Sequence, residues 1–495
     1  MVSAQSFPWI IITLAVVLVW GANLIWVAIE TRPPHWDMGR HLWNSLRYYH
    51  EFSLHQILPF LQSYNYYPPL IYWLASPVYA LFGASVMSAV SINLIFISVL
   101  TVSTYLLGVE LWNKRVGLLA AILTLSYPML VSQFKEYQVD APLTALTTLS
   151  LYLLLKTKRF SSWRWSLAFG FAAGLALLTK WTFIAIIALP ILLVAGLGLK
   201  NAWGSRGRIF ILLQNLVVAA SSAYITCSVW YVSNLQQLKI DLFGNNAAQA
   251  VREGDPMVGS LESTLWYFWN LINNQLYLIP FIAFLVALVI TLRNKMAARR
   301  NLLLMVFILG IYIAFTFISN KDARYTLPML PAIALITCSA ITAIPSRKAQ
   351  NIASILIGLH AATAFMVMSF GNSIVPQYIG FNLGNQSITV IKQGGYLIGA
   401  PTGEQWYQSH VVEIAASTPG KSLLFIGPES IWFNNWGLTY LSQRSGVVLT
   451  GNNPEIIIIR GNDQPPWKNY TPTETFTLPD GQALKLYRKT SEPYN

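Results

Sequence analysis

The sequence predicts a multi-span α-helical membrane protein of about eleven transmembrane helices, ending in a small extracytoplasmic α/β domain. Three observations carry this expectation. Hydrophobic residues make up 55% and charged residues only 10% of the 495 positions, against about 25% charged in a soluble globular chain. The apolar residues come in runs close to the ~20 residues that a helix rising 1.5 Å per residue needs to cross a ~30 Å hydrocarbon core. After residue 370 those runs give way to short segments, none long enough to span.

Taken in order, the apolar runs cover 8–29, 85–107, 116–133, 141–155, 166–179, 182–199, 209–232, 266–291, 302–318, 326–344 and 351–370, of which 141–155 and 166–179 are short and borrow flanking residues. The first is too long for the apolar region of a signal peptide and has no basic stretch ahead of it, so it is expected to remain as a span. The net charge of +13 is spread as short basic clusters between apolar runs, which is how topology is written rather than how nucleic acid is bound. With the amino terminus inside, the inner loops hold Lys114, Arg115, Lys156, Lys158, Arg159, Arg164, Lys200, Arg206, Arg208, Arg293, Lys295, Arg299, Arg300, Arg347 and Lys348, and Glu110 as their one acid. The outer loops before the tail hold nine basic and ten acidic residues. The outer segments are therefore the long loop 30–84, the short one from Lys135 to Asp140, the loop 233–265 and the tail. The placement expected is multi-pass in the plasma (inner) membrane, with the site and tail extracytoplasmic.

The chain divides into a transmembrane part, 1–370, and an accessory tail, 371–495. In the tail, Glu404–Ser417 and Trp432–Leu441 read as helices, and Leu423–Ile426 and Ile456–Ile459 as strands, the last by its β-branched run. Gly420-Lys421-Ser422 is no phosphate-binding loop, because Ala415 stands where the first glycine of that motif belongs. Cys227 and Cys338 lie within apolar runs and form no disulfide framework. The sequons at Asn385 and Asn469 carry no weight in the reading.

An ionisable residue at membrane depth is costly enough to be a functional hypothesis. Here such residues gather at the outer ends of spans: Asp37 and Arg40, then Lys135, Glu136 and Asp140, then Lys180, then Lys321, Asp322 and Arg324. A carboxylate or two among several cations suits a substrate that carries a phosphate near the bilayer surface and a hydroxyl to be activated. Displacing a phosphate from a sugar carbon calls for fixed cations near its oxygens. The incoming hydroxyl needs a carboxylate within hydrogen-bond reach. One base opposite the leaving group predicts inversion. Each residue also has a plainer reading. Asp37 would serve the dipole of a helix starting there, Lys180 would snorkel to the headgroups, and Asp140 with Lys135 and Glu136 would form a structural ion cluster. Arg40, one turn from Asp37, is either its partner or a sugar-phosphate contact. His35, Asp37 and His41 invite a metal, yet the chain has no HExxH and no paired CxxC, so no cofactor is expected to be required, a divalent metal being the alternative.

Four stretches carry a resemblance. Asp37 follows the first span, Tyr67-Pro68-Pro69-Leu70-Ile71-Tyr72-Trp73-Leu74 precedes Leu81-Phe82-Gly83, then come Gly174-Leu175-Ala176-Leu177-Leu178-Thr179-Lys180 and Arg324-Tyr325-Thr326-Leu327-Pro328-Met329-Leu330-Pro331. In this order, over roughly residues 1–345, they resemble the protein O-mannosyltransferase and aminoarabinose transferase superfamily, the C-type glycosyltransferases. The resemblance implies a polyprenyl-phosphate sugar as donor, a hydroxyl-bearing acceptor, the bilayer as partner, Asp37 as the catalytic aspartate of the first outer loop, and a lipid-phosphate site. The residues expected to bind substrate are Arg40, Tyr67, Lys135, Glu136, Asp140, Lys180, Lys321, Arg324 and Tyr325. Tyr67 stands where aminoarabinose transferases carry Lys, and Met38 where protein O-mannosyltransferases carry a second acid, so the acceptor does not transfer from either family. A transporter or flippase of amphiphilic substrates is the alternative. It calls for charges along the depth of the bundle, whereas here they stop at one face.

Overall fold

Prolines and the limits of the apolar runs set where the helices begin and end. The computed structural model describes residues 6–241, 246–384 and 386–490; Asn385 lies outside them. Helix α1 (Phe7–Ile29) opens with Pro8 in its first turn, where a missing N–H leaves no bond unmade. After Pro33 and Pro34 comes α2 (Trp36–Ser53), which buries Met38, Leu42, Leu46 and Tyr48 and carries Asp37 in its first turn. The outer loop is thus largely helical, continuing through α3 (Ile57–Gln62) to α4 (Leu70–Phe82), which starts directly after Pro69.

Helices α5 (Val86–Ser91) and α6 (Asn93–Leu111) together make one apolar crossing of 26 residues. The run at 116–133 is divided at Pro128 into α7 (Lys114–Thr124) and α8 (Pro128–Gln133). α9 (Asp140–Lys156) and α10 (Trp163–Leu177) are short, and α9 is buried over nearly its whole length. α11 (Phe183–Ala202) is followed by α12 (Arg206–Ile240), whose 35 residues extend about 50 Å at 1.5 Å per residue. It therefore outlasts the expected 209–232 and delivers its end to the outer loops. α10 and α12 approach closely at Gly170 and Gly174, where added Cβ atoms would fall 2.1 Å from the Ala219 carbonyl oxygen and 2.5 Å from Thr226 Cβ. This is the small-residue packing favoured between helices in lipid.

Beyond α13 (Asn246–Glu253) and α14 (Leu261–Asn270), a π-helical turn at Leu271–Leu276 leads to α15 (Leu278–Arg293). The straight span expected at 266–291 is not formed. The chain bends there by 117°, at Tyr277 with φ 62°. α16 (Lys295–Thr316), α17 (Leu330–Ser339) between two 3-10 turns, and α18 (Arg347–Phe370) complete the bundle. Among the described residues, six helices are long and apolar enough to cross a membrane, or seven with the bent pair taken as one span. All eleven apolar runs are helical, but several are shorter internal elements rather than full-length spans, because they pack against other helices.

The tail opens with a hairpin of β1 (Tyr378–Leu383) and β2 (Gln386–Lys392) that its sequence pattern did not announce. Then come α19 (Gln408–Ala416), β3 (Ser422–Ile426), α20 (Asn435–Arg444), β4 (Val448–Leu449), β5 (Ile456–Arg460), β6 (Tyr470–Thr477) and β7 (Ala483–Lys489). They build a five-stranded sheet in the order β4-β3-β5-β7-β6, parallel across β4, β3 and β5 and antiparallel from β5 to β6. The isoleucine run forms β5 at its centre, buried throughout, as a strand covered on both faces should be.

The tail is not remote. α20 packs against α2 at Gly39 and Gly437, so closely that a Cβ on Gly39 would stand 2.8 Å from the Gly437 nitrogen. Trp43 and Trp436 pack with ring centroids 5.4 Å apart, and Asn434 Nδ2 donates to the Pro34 carbonyl at 3.3 Å.

Candidate active site

Where α2, the turn before α4, the end of α12 and the segment before α17 converge, they enclose a polar cavity of about 440 Å³. α2 supplies Trp36, Asp37 and Arg40; the turn supplies Tyr66 and Tyr67; Asp241 follows α12 and Glu253 closes α13. Asn320, Lys321, Asp322, Arg324 and Tyr325 form another wall, and Tyr396, Leu397 and Ile431 come from the tail. The amphipathic pattern of α2 explains the placement of its polar residues. Met38 and Leu42 are buried against the bundle, which leaves Asp37 and Arg40 facing the cavity.

The central feature is Arg324. Its Nη2 donates to Asp37 Oδ2 at 2.6 Å and to Asp322 Oδ2 at 2.5 Å, while Nε donates to Asp322 Oδ1 at 2.9 Å. Nη1 donates to Gln138 Oε1, and Nε lies 4.0 Å from Asp140 Oδ2. Burial would raise the carboxyl pKa of Asp37, but the charges of Arg324, His35 and His41 and the Arg324 hydrogen bond outweigh it and hold Asp37 well below the usual carboxylate range. Asp322 is likewise lowered, its burial overcome by Arg324. For Arg324, burial works against the charge, but Asp322 and Asp37 outweigh it and raise its pKa. His41 is pushed down to about 3 by burial, Asp37 opposing and Arg40 adding. Its neutral ring shares a 2.7 Å hydrogen bond with the Tyr72 hydroxyl. Among the described residues, no group of three His, Cys, Asp or Glu side chains is placed to hold a metal ion.

The structure sorts the expected residues into two sets. Asp37, Arg40, Tyr67, Lys321, Arg324 and Tyr325 line the cavity; Lys135, Glu136, Asp140 and Lys180 do not, and Lys135 and Glu136 line a second, smaller one. Lys180 Nζ is bound to Asp140 Oδ1 at 2.7 Å, both buried, so this lysine does not snorkel; its ammonium lies 5.6 and 4.7 Å from the Tyr67 and Tyr325 rings that line the cavity. Lys135 is sealed away with its Nζ 3.4 Å from the Met368 carbonyl and 5.5 Å from the Trp26 ring. Burial, opposed by Glu136 and Glu30, lowers its pKa to about 7. Glu136 accepts from Gln133 at 3.0 Å and Gln138 at 2.8 Å, and lies 3.2 Å from His35 Nε2. The expected Lys135–Glu136–Asp140 cluster is therefore split among three different partners. Lys321 reaches the cavity wall, yet its ammonium donates to the carbonyls of Phe315 and Thr316 at 3.0 and 2.8 Å, closing the end of α16.

Arg40 is not the partner of Asp37. Among the described residues it has no ion pair. Its guanidinium lies 5.4 Å from both the Tyr66 and Trp436 rings, and its buried Nε has no hydrogen-bond partner among the described residues. Several residues of the site were not singled out in the sequence. Asp322 was visible in the outer-end gathering, two positions from Arg324. Gln138 gave no local signal for its role, because the Arg324 it holds lies 186 positions away; His35 was noted only as a candidate metal ligand, and it lies instead against Glu136 and Gln138. Asp241 caps α12 and Glu253 ends α13, where Asn320 donates to it at 2.9 Å, so neither was placed at the site by its own stretch of sequence.

Residues 67–225 match the family model described as dolichyl-phosphate-mannose-protein mannosyltransferase. A protein of Aquifex aeolicus is 26% identical over 308 residues, 61% of this chain, and the match spans 58% of that relative's length. The structure of ArnT from Cupriavidus metallidurans bound to undecaprenyl phosphate superposes with a TM-score of 0.62 at 13% identity, covering 98% of each chain. The chain shares the fold of that ArnT structure. The archaeal oligosaccharyltransferase AglB from Archaeoglobus fulgidus, in complex with an inhibitory peptide and a dolichol-phosphate, matches with a TM-score of 0.51 at 12% identity, over 92% of this chain and 69% of its own. The likeness extends across the tail as well, since the ArnT superposition covers nearly the full length of both chains. The chain is a multi-pass membrane protein.

Proposed function

We propose that this chain transfers a monosaccharide from a polyprenyl-phosphate donor to a hydroxyl of a protein, lipid or glycan acceptor, with inversion, at the outer face of the plasma membrane. The observation that carries the reading is the Asp37 carboxylate, which faces a polar cavity together with Arg324, its partner, and Arg40, a guanidinium without an ion-pair partner among the described residues. Arg40 and Arg324 take the phosphate oxygens, and Tyr66, Tyr67 and Tyr325 offer aromatic faces to the sugar. Asp37 accepts the proton of the acceptor O–H as that oxygen bonds to the anomeric carbon. The bond from that carbon to the phosphate oxygen breaks at the same time, and its electron pair leaves with the polyprenyl phosphate. No cofactor is called on. The undecaprenyl phosphate bound in the ArnT structure and the description of the matched family support the donor class and make mannose the first sugar to assay. The basic clusters retained in one set of loops support the outer placement of the site.

The test is transfer from polyprenyl-phosphate sugars by the purified chain in nanodiscs, wild type against Asp37→Asn. Loss of a positioned base lowers the rate by about 10²- to 10⁴-fold. A folded Asp37→Asn protein that transfers sugar at the wild-type rate overturns the assignment.

A further inference from the structure

A base held by an arginine is a poor base, and in this structure Asp37 is so held. Arg324 Nη2 binds Asp37 Oδ2 at 2.6 Å, a charge-assisted bond that occupies a carboxylate oxygen and depresses its proton affinity. The two partners of the guanidinium are unequal. Asp322 holds it by both Nε and Nη2, whereas Asp37 takes one donor and is the more exposed, its side chain 36% accessible against 17% for Asp322. Gln138 fixes Nη1 from behind. An anion entering the cavity meets this guanidinium at the donor shared with Asp37, while Asp322 and Gln138 keep it from swinging away.

We propose that the phosphate of the donor takes over the Arg324 donor that Asp37 holds, so that Asp37 becomes a competent base once the donor has bound. This rests on the donor reading given above and adds an order to it: the donor binds first, and the acceptor hydroxyl is activated second. Asp322 is the positioning residue that makes the exchange local, since one hydrogen bond changes hands while those to Asp322 and Gln138 remain. Nothing covalent changes in this step, and no proton has to move.

The experiment is a double-mutant cycle on the binding of undecaprenyl phosphate to the full chain in nanodiscs, with wild type, Asp37→Asn, Arg324→Gln and the double variant. Competition for Arg324 means that removing the Asp37 charge tightens binding, by about tenfold for a pair in contact. In the Arg324→Gln background the same substitution then changes affinity by less than about twofold, because the shared donor is gone. Unchanged or weaker binding by Asp37→Asn overturns the proposal. So does equal tightening in both backgrounds, which is plain charge repulsion between carboxylate and phosphate. Asp37→Ala supplies the same comparison if the asparagine variant is poorly folded. Failure of the wild-type protein to bind undecaprenyl phosphate refutes the donor reading itself.

Discussion

Replacing Gly39 by Ala tests how tightly the tail holds the candidate site. A Cβ added there would lie 2.8 Å from the Gly437 nitrogen and 2.9 Å from the Trp436 carbonyl carbon. Ordinary contact begins near 3.4 Å, and both neighbours are backbone atoms of α20 that cannot rotate away, so α2 and α20 have to separate by about half an ångström or more. Overpacking of this kind costs about 1–3 kcal/mol. The separation also moves Asp37 and Arg40, two positions before and one after the glycine, and displacements near 1 Å can lower a rate by about 10²-fold. The assay pairs thermal unfolding in detergent with undecaprenyl-phosphate binding, using Gly21→Ala as control. Gly21 has nothing within 4 Å of its added Cβ, and Ala is the better helix former, so the control is neutral or slightly stabilising. Wild-type melting and binding by Gly39→Ala would refute the claim that the tail fixes α2 by backbone contact.

Three further outcomes are expected. Lys180→Met leaves the Asp140 carboxylate buried without its 2.7 Å partner and destabilises the protein by about 3–5 kcal/mol, read as a lower melting temperature; unchanged melting at neutral pH contradicts the ion-pair role. Lys135, whose pKa burial lowers to about 7, binds its proton more tightly in the unfolded chain. Its contribution to stability therefore rises as pH climbs from about 7 toward the unfolded value and is absent below that window. Lys135→Met should abolish this slope in a melting series from pH 6 to 9, and an identical slope in the variant argues against it. Arg324 outweighs burial to lower the pKa of Asp37, so the carboxylate persists above that lowered value and is lost only as pH falls through it. The ratio kcat/KM for the donor should stay flat from pH 7 to 5, and Arg324→Gln should move the acid limb upward. A wild-type limb centred between pH 5 and 7 counts against the pairing.

Much of this protein could be read along the chain because hydropathy and helix-breaking are local properties. The apolar runs, the prolines before α2 and α4, and the isoleucine strand each declare themselves within a few residues. The gathering of charge at one face was equally legible, since topology is written in the loops. The hairpin Tyr378–Lys392 was not, because its first strand is exposed along its whole length and shows no alternation. Nor was the 117° bend at Tyr277, which a continuous apolar run conceals.

What the sequence by itself determined is a helical membrane protein with acids and bases collected at its outer ends. Which of those charges face a shared cavity was decided by tertiary structure alone. Arg40, Lys180, Lys321 and Arg324 look alike in the sequence, yet one is tied to Asp140, one to helix carbonyls, and one to an acid 287 positions away. Arg40 is left facing the cavity without a carboxylate among the described residues. The reason is physical: a buried charge needs a partner, and which partner it finds depends on distances that exist only once the chain has folded.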